Sequence, residues 1–223
     1  MTNKTKIIKL MTEYILIQDV KGKLESAYLH APFDKALKAL KKEGYNLVSL
    51  EENARLRMQE GMNAHISQNG NWVREGVIYL PSGEAYLTKN SPILRNAKEA
   101  TECTEKCHGL YLTKDQAESA LANAVKFPKL EEMESEYEIP TDKFGEDAVT
   151  DFAFGKIAKD YGKFLKENRI NAMPIRLSTN TSKPLARQVL FSESSYGESS
   201  IWYCVGRLLC EGSTRGVREK LQA

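Results

Sequence analysis

The C-terminal third of the chain concentrates the residue types that hold anions. Arg176, Ser178, Thr179, Thr181, Ser182, Lys183 and Arg187 fall within twelve residues, and Arg207, Arg215 and Arg218 follow. A guanidinium matches the paired oxygens of a phosphate or carboxylate, and hydroxyls and loop amides can complete such a site. Arg176, Ser178, Thr179, Lys183, Arg187 and Arg207 are therefore the candidate anion-binding residues. The plainer alternative is a set of Ser/Thr-rich loops with arginines on solvated strand edges, and no glycine-rich phosphate cradle accompanies the cluster. If the site were catalytic, Arg176, Arg187 and Arg207 would bind the anion, and Glu193 or Glu198 would serve as acid or base.

Cys103, Cys107 and His108 form the most pointed local cluster, since thiolates and imidazole are good zinc ligands. A tetrahedral site needs four donors, and the spacing is not that of a finger or ribbon. The reading favoured here is two ordinary thiols beside a surface histidine, with no metal and no cofactor. Cys204 and Cys210 alternate with Trp202, Gly206 and Leu208 on one strand face, which is a core pattern. His30 and His65 stand apart from any Ser, Cys or carboxylate at a telling offset. The chain lacks a phosphate-binding P-loop, a dinucleotide fingerprint, a zinc-protease helix motif and a nucleophile elbow. No catalytic residue can be assigned, and whether the chain is an enzyme stays open.

Charge is nearly balanced, with 32 Lys and Arg against 30 Asp and Glu, so the whole chain lacks a nucleic-acid footprint. A local one could reside on the lysine-rich segment Lys35, Lys38, Lys41 and Lys42. That segment carries one aromatic, Phe33, which fits an apolar stripe, so a solvated helix face reads better. Nowhere does the sequence hold the ~20 apolar residues that span a bilayer. Without a recognisable secretory signal, the cytoplasm is the default location.

These groups must be carried by mixed elements. Glu13–Val20 and Leu24–Leu29 read as strands, after a basic tail or turn over residues 1–11. Phe33–Glu43 reads as a helix with Gly44 at its end, and the capping-box pair Ser49 and Glu52 opens another over 49–60. Trp72–Leu80 and Glu84–Thr88 form a hairpin around Pro81-Ser82-Gly83, apolar on both faces and so covered on both. A short helix after Pro92 is followed by a helix from Thr113 to about Lys126. Lys129–Pro140, rich in glutamate, reads as a linker. One long helix follows, from Asp142 or Glu146 to Asn168, then strands at Ile175–Leu177, Leu185–Phe191 and Ile201–Cys210. Gly212–Ala223 reads as a polar tail or short helix.

Strands and helices do not alternate strictly. The expected class is therefore α+β, an antiparallel or mixed sheet with helices packed mainly on one face. Residues 1–223 make one domain, with a subdomain boundary conceivable within 129–141. The functional reading is a binding or interaction module with an anion-binding C-terminal hairpin, facing an anionic ligand or an acidic protein surface. A small enzyme acting on a phosphate-containing or other anionic substrate is the first alternative. A nucleic-acid-binding protein is the second and is not favoured.

Overall fold

The computed structural model describes residues 6–9, 15–21, 24–107, 109–128, 134–178, 181–192, 201–203, 208 and 212–219. The strands are β1 (Lys6–Lys9), β2 (Ile15–Lys21), β3 (Leu24–Ala31), β4 (Asn46–Leu47), β5 (Asn71–Tyr79), β6 (Ala85–Thr88), β7 (Leu110–Tyr111), β8 (Ala124–Lys126), β9 (Glu134–Pro140), β10 (Ala172–Ser178), β11 (Leu185–Phe191), β12 (Ile201–Tyr203) and β13 (Gly212–Glu219). The α-helices are α1 (Phe33–Lys42), α2 (Leu50–Glu60), α3 (His65–Gln68), α4 (Ala97–Cys107), α5 (Lys114–Leu121), α6 (Ala148–Phe154) and α7 (Ala158–Glu167). The protein is α+β with a mixed sheet.

Among the described residues thirteen strands join one sheet, in the order β1-β2-β3-β13-β5-β11-β12-β10-β9, with β4, β6, β7 and β8 on side branches. β13 runs antiparallel to β3 along its full length and parallel to β5 at Ser213 and Thr214. Both halves of the chain therefore build the centre of the sheet.

The alternation of β5 and β11 sorts the core onto two faces. Val73, Val77, Tyr79, Leu185, Val189 and Phe191 pack with Leu50 and Ala54 of α2 and with α6 and α7. Trp72, Ile78 and Ala186 pack on the opposite face with Ile93, Ala100 of α4 and Ala117 of α5. The hairpin β5–β6 is covered on both sides, as its apolar faces require.

Local signals fixed several boundaries. In α2 the Ser49 hydroxyl accepts from Glu52 N, and the Glu52 carboxylate accepts from Ser49 N, completing the capping box. The Thr113–Gln116 box does the same for α5. In α1, Phe33, Ala36 and Leu40 are buried while Lys35, Lys38, Lys41 and Lys42 face solvent.

Elsewhere the structure departs from expectation. The basic segment near the start contains a strand, β1, paired with β2. The helix opened by Thr113 stops at Leu121, and Ala124–Lys126 turns into a strand on β6. The single long helix is two: Gly155 adopts φ 55°, a conformation that suits glycine, and α6 ends there. The glutamate-rich Lys129–Pro140 is not a linker over its second half, where β9 pairs with β10 through seven residues. The polar segment after Gly212 is the buried strand β13.

Candidate functional site

Among the described anion-binding candidates, Arg176 and Arg187 do not share a face of the sheet. In the sheet Arg176 is level with Trp202, which is level with Leu190 on β11. Arg187 lies three positions from Leu190, so strand alternation puts Arg176 and Arg187 on opposite faces. Arg176 is engaged by Glu136 of β9, whose carboxylate accepts from its Nε and from Nη2, the latter at 3.2 Å. Arg187 is buried, its guanidinium 5.2 Å above the Tyr79 ring. Lys183 is exposed in the turn before β11. The Ser178 side chain, Thr179, Arg207, Glu193 and Glu198 lie outside the described residues, as do the Cys107 side chain, His108, Cys204 and Cys210. Cys103 sits half-buried on α4. Among the described residues no three His, Cys, Asp or Glu side chains gather in a metal-binding group.

The centre of the fold is a fork. β5 borders β13 at Asn71 and Trp72 but borders β6 from Gly76 onward. Between these stretches the register against β11 slips, from Gln188 opposite Gly76 to Leu190 opposite Trp72. Such a bulge leaves ladder groups without strand partners. Side chains and loops take their place. Gln188 donates from Nε2 to the carbonyls of Val73 and Glu75. Arg74 N donates to Val48 O at 2.9 Å, and Ser91 N donates to Arg74 O at 3.0 Å.

Glu75 lies in the fork, 0% exposed, and accepts from Leu50 N at the start of α2 at 2.9 Å. A carboxylate is favourable at a helix N-terminus. Burial outweighs this and pushes the carboxyl up to about 7.

Ser91 fixes the connection after β6. Its hydroxyl accepts from Ile93 N at 3.3 Å, and Ile93 is fully buried. Gly76 faces it so closely that a Cβ there would lie 2.6 Å from Ser91 Oγ. The chain Thr88–Asn96 is thereby held rigidly against the sheet. Opposite it stands α5, seated on Ala117.

The two walls enclose a cleft of about 750 Å³. Its polar lining is mostly amide and hydroxyl: Asn90, Asn96, Gln116, Asn123, Thr88 and Ser119, with Lys89, Arg95 and Asp115. The volume suits a small ligand. Lys89 is tied down, its ammonium donating to Ala153 O at 3.3 Å near the end of α6 and lying 4.9 Å from the Phe152 ring. Asn90, Asn96, Asn123, Thr88 and Ser119 present groups that both donate and accept hydrogen bonds, whereas Arg95 only donates, ionised Asp115 only accepts and Gln116 Oε1 already accepts from Thr113 N.

With this arrangement in view, the chain can be set against known proteins. It is similar to a solved structure described as the accommodation of massive sequence variation in Nanoarchaeota by the C-type lectin fold. The TM-score is 0.60 and the identity 14%, over 90% of this chain and 99% of that one. The fold resembles the C-type lectin fold. No family model matches the sequence, and neither does any curated protein.

One further cluster of this lectin-like fold escaped the sequence. His30 and His65, apart in the chain, meet at Tyr28. The His65 ring stacks on Tyr28 at 3.7 Å between centroids, and the His30 ring lies 5.9 Å from His65. Arg215 from β13 is buried behind them, 4.7 Å from the Tyr28 ring, donating to Ser26 Oγ at 2.8 Å. The pairing of β3 with β13 sets Arg215 opposite Tyr28, α3 brings His65 onto the ring, and no local motif signals the cluster. The cleft was equally silent, since its polar residues come from two loops and a helix with no recurring spacing. A helix long and apolar enough to cross a membrane is absent among the described residues.

Proposed function

We propose that this chain is a non-catalytic binding module that seats a small, neutral, hydroxyl-bearing ligand in the cleft between Thr88–Asn96 and α5. The observation that carries the reading is the cleft lining. Amide side chains offer a donor and an acceptor in one plane, which matches hydroxyl groups that also do both. Leu94, Pro92 and Ala120 supply an apolar strip among them. The walls are set by a buried Ile93, a capped helix and a close backbone approach at Gly76, so the site is formed before ligand arrives.

Among the described residues, burial raises the Glu75 carboxyl and lowers the His65 imidazole, and neither group lines this cleft. Glu75 is sealed in the core and His65 lies by β3 and β13.

The test is calorimetric titration with a panel of neutral mono- and disaccharides. Binding near about millimolar strength is expected for ligands of this size. Ser119→Trp fills the cleft from an exposed helical position and should abolish it. Heats that are absent across the panel, or unchanged in Ser119→Trp, contradict the reading.

A further inference from the structure

We infer that the outer edge of β9 is a docking site for an extended basic peptide that adds to the sheet as a further strand. Among the described residues β9 pairs with β10 alone, through an unbroken register from Glu134 to Pro140. Its opposite edge therefore presents a row of backbone donors and acceptors, which is a template for another strand.

Side chains beside that edge select the occupant. On one face of β9, Glu136 and Glu138 are exposed. On the other, Tyr137 and Ile139 line a groove of about 340 Å³ together with Pro128, Lys143, Glu146 and Asp147. Near the edge the four carboxylates Glu136, Glu138, Glu146 and Asp147 outnumber the two cations: Arg176 pairs with Glu136, Lys143 with Glu146, and Asp147 caps α6, so the local charge stays negative and Glu138 is left without an ion pair among the described residues.

A second copy of this chain is a poor occupant. Edge-to-edge pairing of two β9 strands would bring glutamates of both copies together, and like charges on facing strands destabilise. A strand that alternates Lys or Arg with an apolar residue fits both faces at once. The basic side chains meet Glu136 and Glu138, and the apolar ones enter the groove.

The experiment uses the full chain and a fluorescent peptide of alternating lysine and valine, matched to the seven residues of β9. Anisotropy should rise with this peptide and stay flat with its glutamate–valine counterpart. Methylating alternate backbone nitrogens on one edge of the peptide should weaken binding about tenfold, and methylating the other edge should not. Glu138→Lys, at an exposed position, should also weaken it. Three results would overturn the inference: no binding, equal binding of both methylated peptides, or sedimentation showing that β9 pairs with a second copy instead. None of them bears on the cleft, whose saccharide titration is separate.

Discussion

Arg215 and His65 meet at 3.2 Å, guanidinium Nη2 to imidazole Nδ1. A guanidinium can only donate, so Nδ1 accepts and the proton of the neutral ring sits on Nε2. The same contact removes His65 as a metal ligand through Nδ1 and makes it a poor base. Burial, then the Arg215 charge, then His30 hold the imidazole down, at about 4 against an ordinary 6.5.

Acid should therefore loosen this corner. The folded ring resists a proton that the unfolded chain accepts, so stability falls as pH drops from about 6.5 toward 4. Urea midpoints across that window should decline, and His65→Gln should flatten the decline. A His65 ring titrating near its ordinary value by NMR would contradict the geometry.

Glu75 gives the opposite slope. Its folded carboxyl is raised from 4.5 to about 7, so the native state holds a proton that the unfolded chain releases. The resulting stability is complete below about pH 4.5 and is lost as pH rises through 7. Glu75→Gln keeps an acceptor for Leu50 N and cannot ionise. It should be more stable than the parent by about 3 kcal/mol at alkaline pH, with the difference vanishing in acid. A variant that is less stable throughout would show that the carboxylate is needed.

Asn53 is wholly buried in α2, and neither end of its amide finds a hydrogen bond among the described residues. Unmet polar groups in a core are costly, while an apolar group of similar size is not. Asn53→Leu should raise stability by about 1–2 kcal/mol. Loss of stability in chemical denaturation would mean that the amide has a partner.

Gly76 and Ser91 should behave as a coupled pair. A methyl at position 76 would press on Ser91 Cβ at 2.7 Å and Oγ at 2.6 Å. Gly76→Ala should cost about 2–3 kcal/mol, and Ser91→Gly in the same chain should recover part of the loss. Additive effects in the double variant would contradict the close approach.

What the sequence revealed was local. Ser49 with Glu52 and Thr113 with Gln116 announce their helices because a cap is a short-range hydrogen-bond pattern. Leu185–Phe191 announces β11 as a short, mostly apolar run bounded by polar loops, which is how a strand buried on both faces reads. β13 stayed hidden because Ser213 and Arg215 are buried by virtue of distant partners, Asn71 for the first and Ser26 and His65 for the second. β9 stayed hidden because its glutamates suggested solvent, although Tyr137 and Ile139 alternate with them as a half-buried strand requires. Arg176 and Arg187 are near in the chain, but strand register puts them on opposite faces, which chain spacing alone does not reveal.

The central claim is that ligand enters the cleft between Thr88–Asn96 and α5. Amide chemical-shift mapping of the labelled protein against the saccharide with the strongest calorimetric response tests it most directly. The account predicts perturbations concentrated at Thr88–Asn96 and Asp115–Asn123, absent in Ser119→Trp. Perturbations concentrated instead at Tyr28, His30 and His65, or along β10 and β11, would contradict it and move the site elsewhere on the fold.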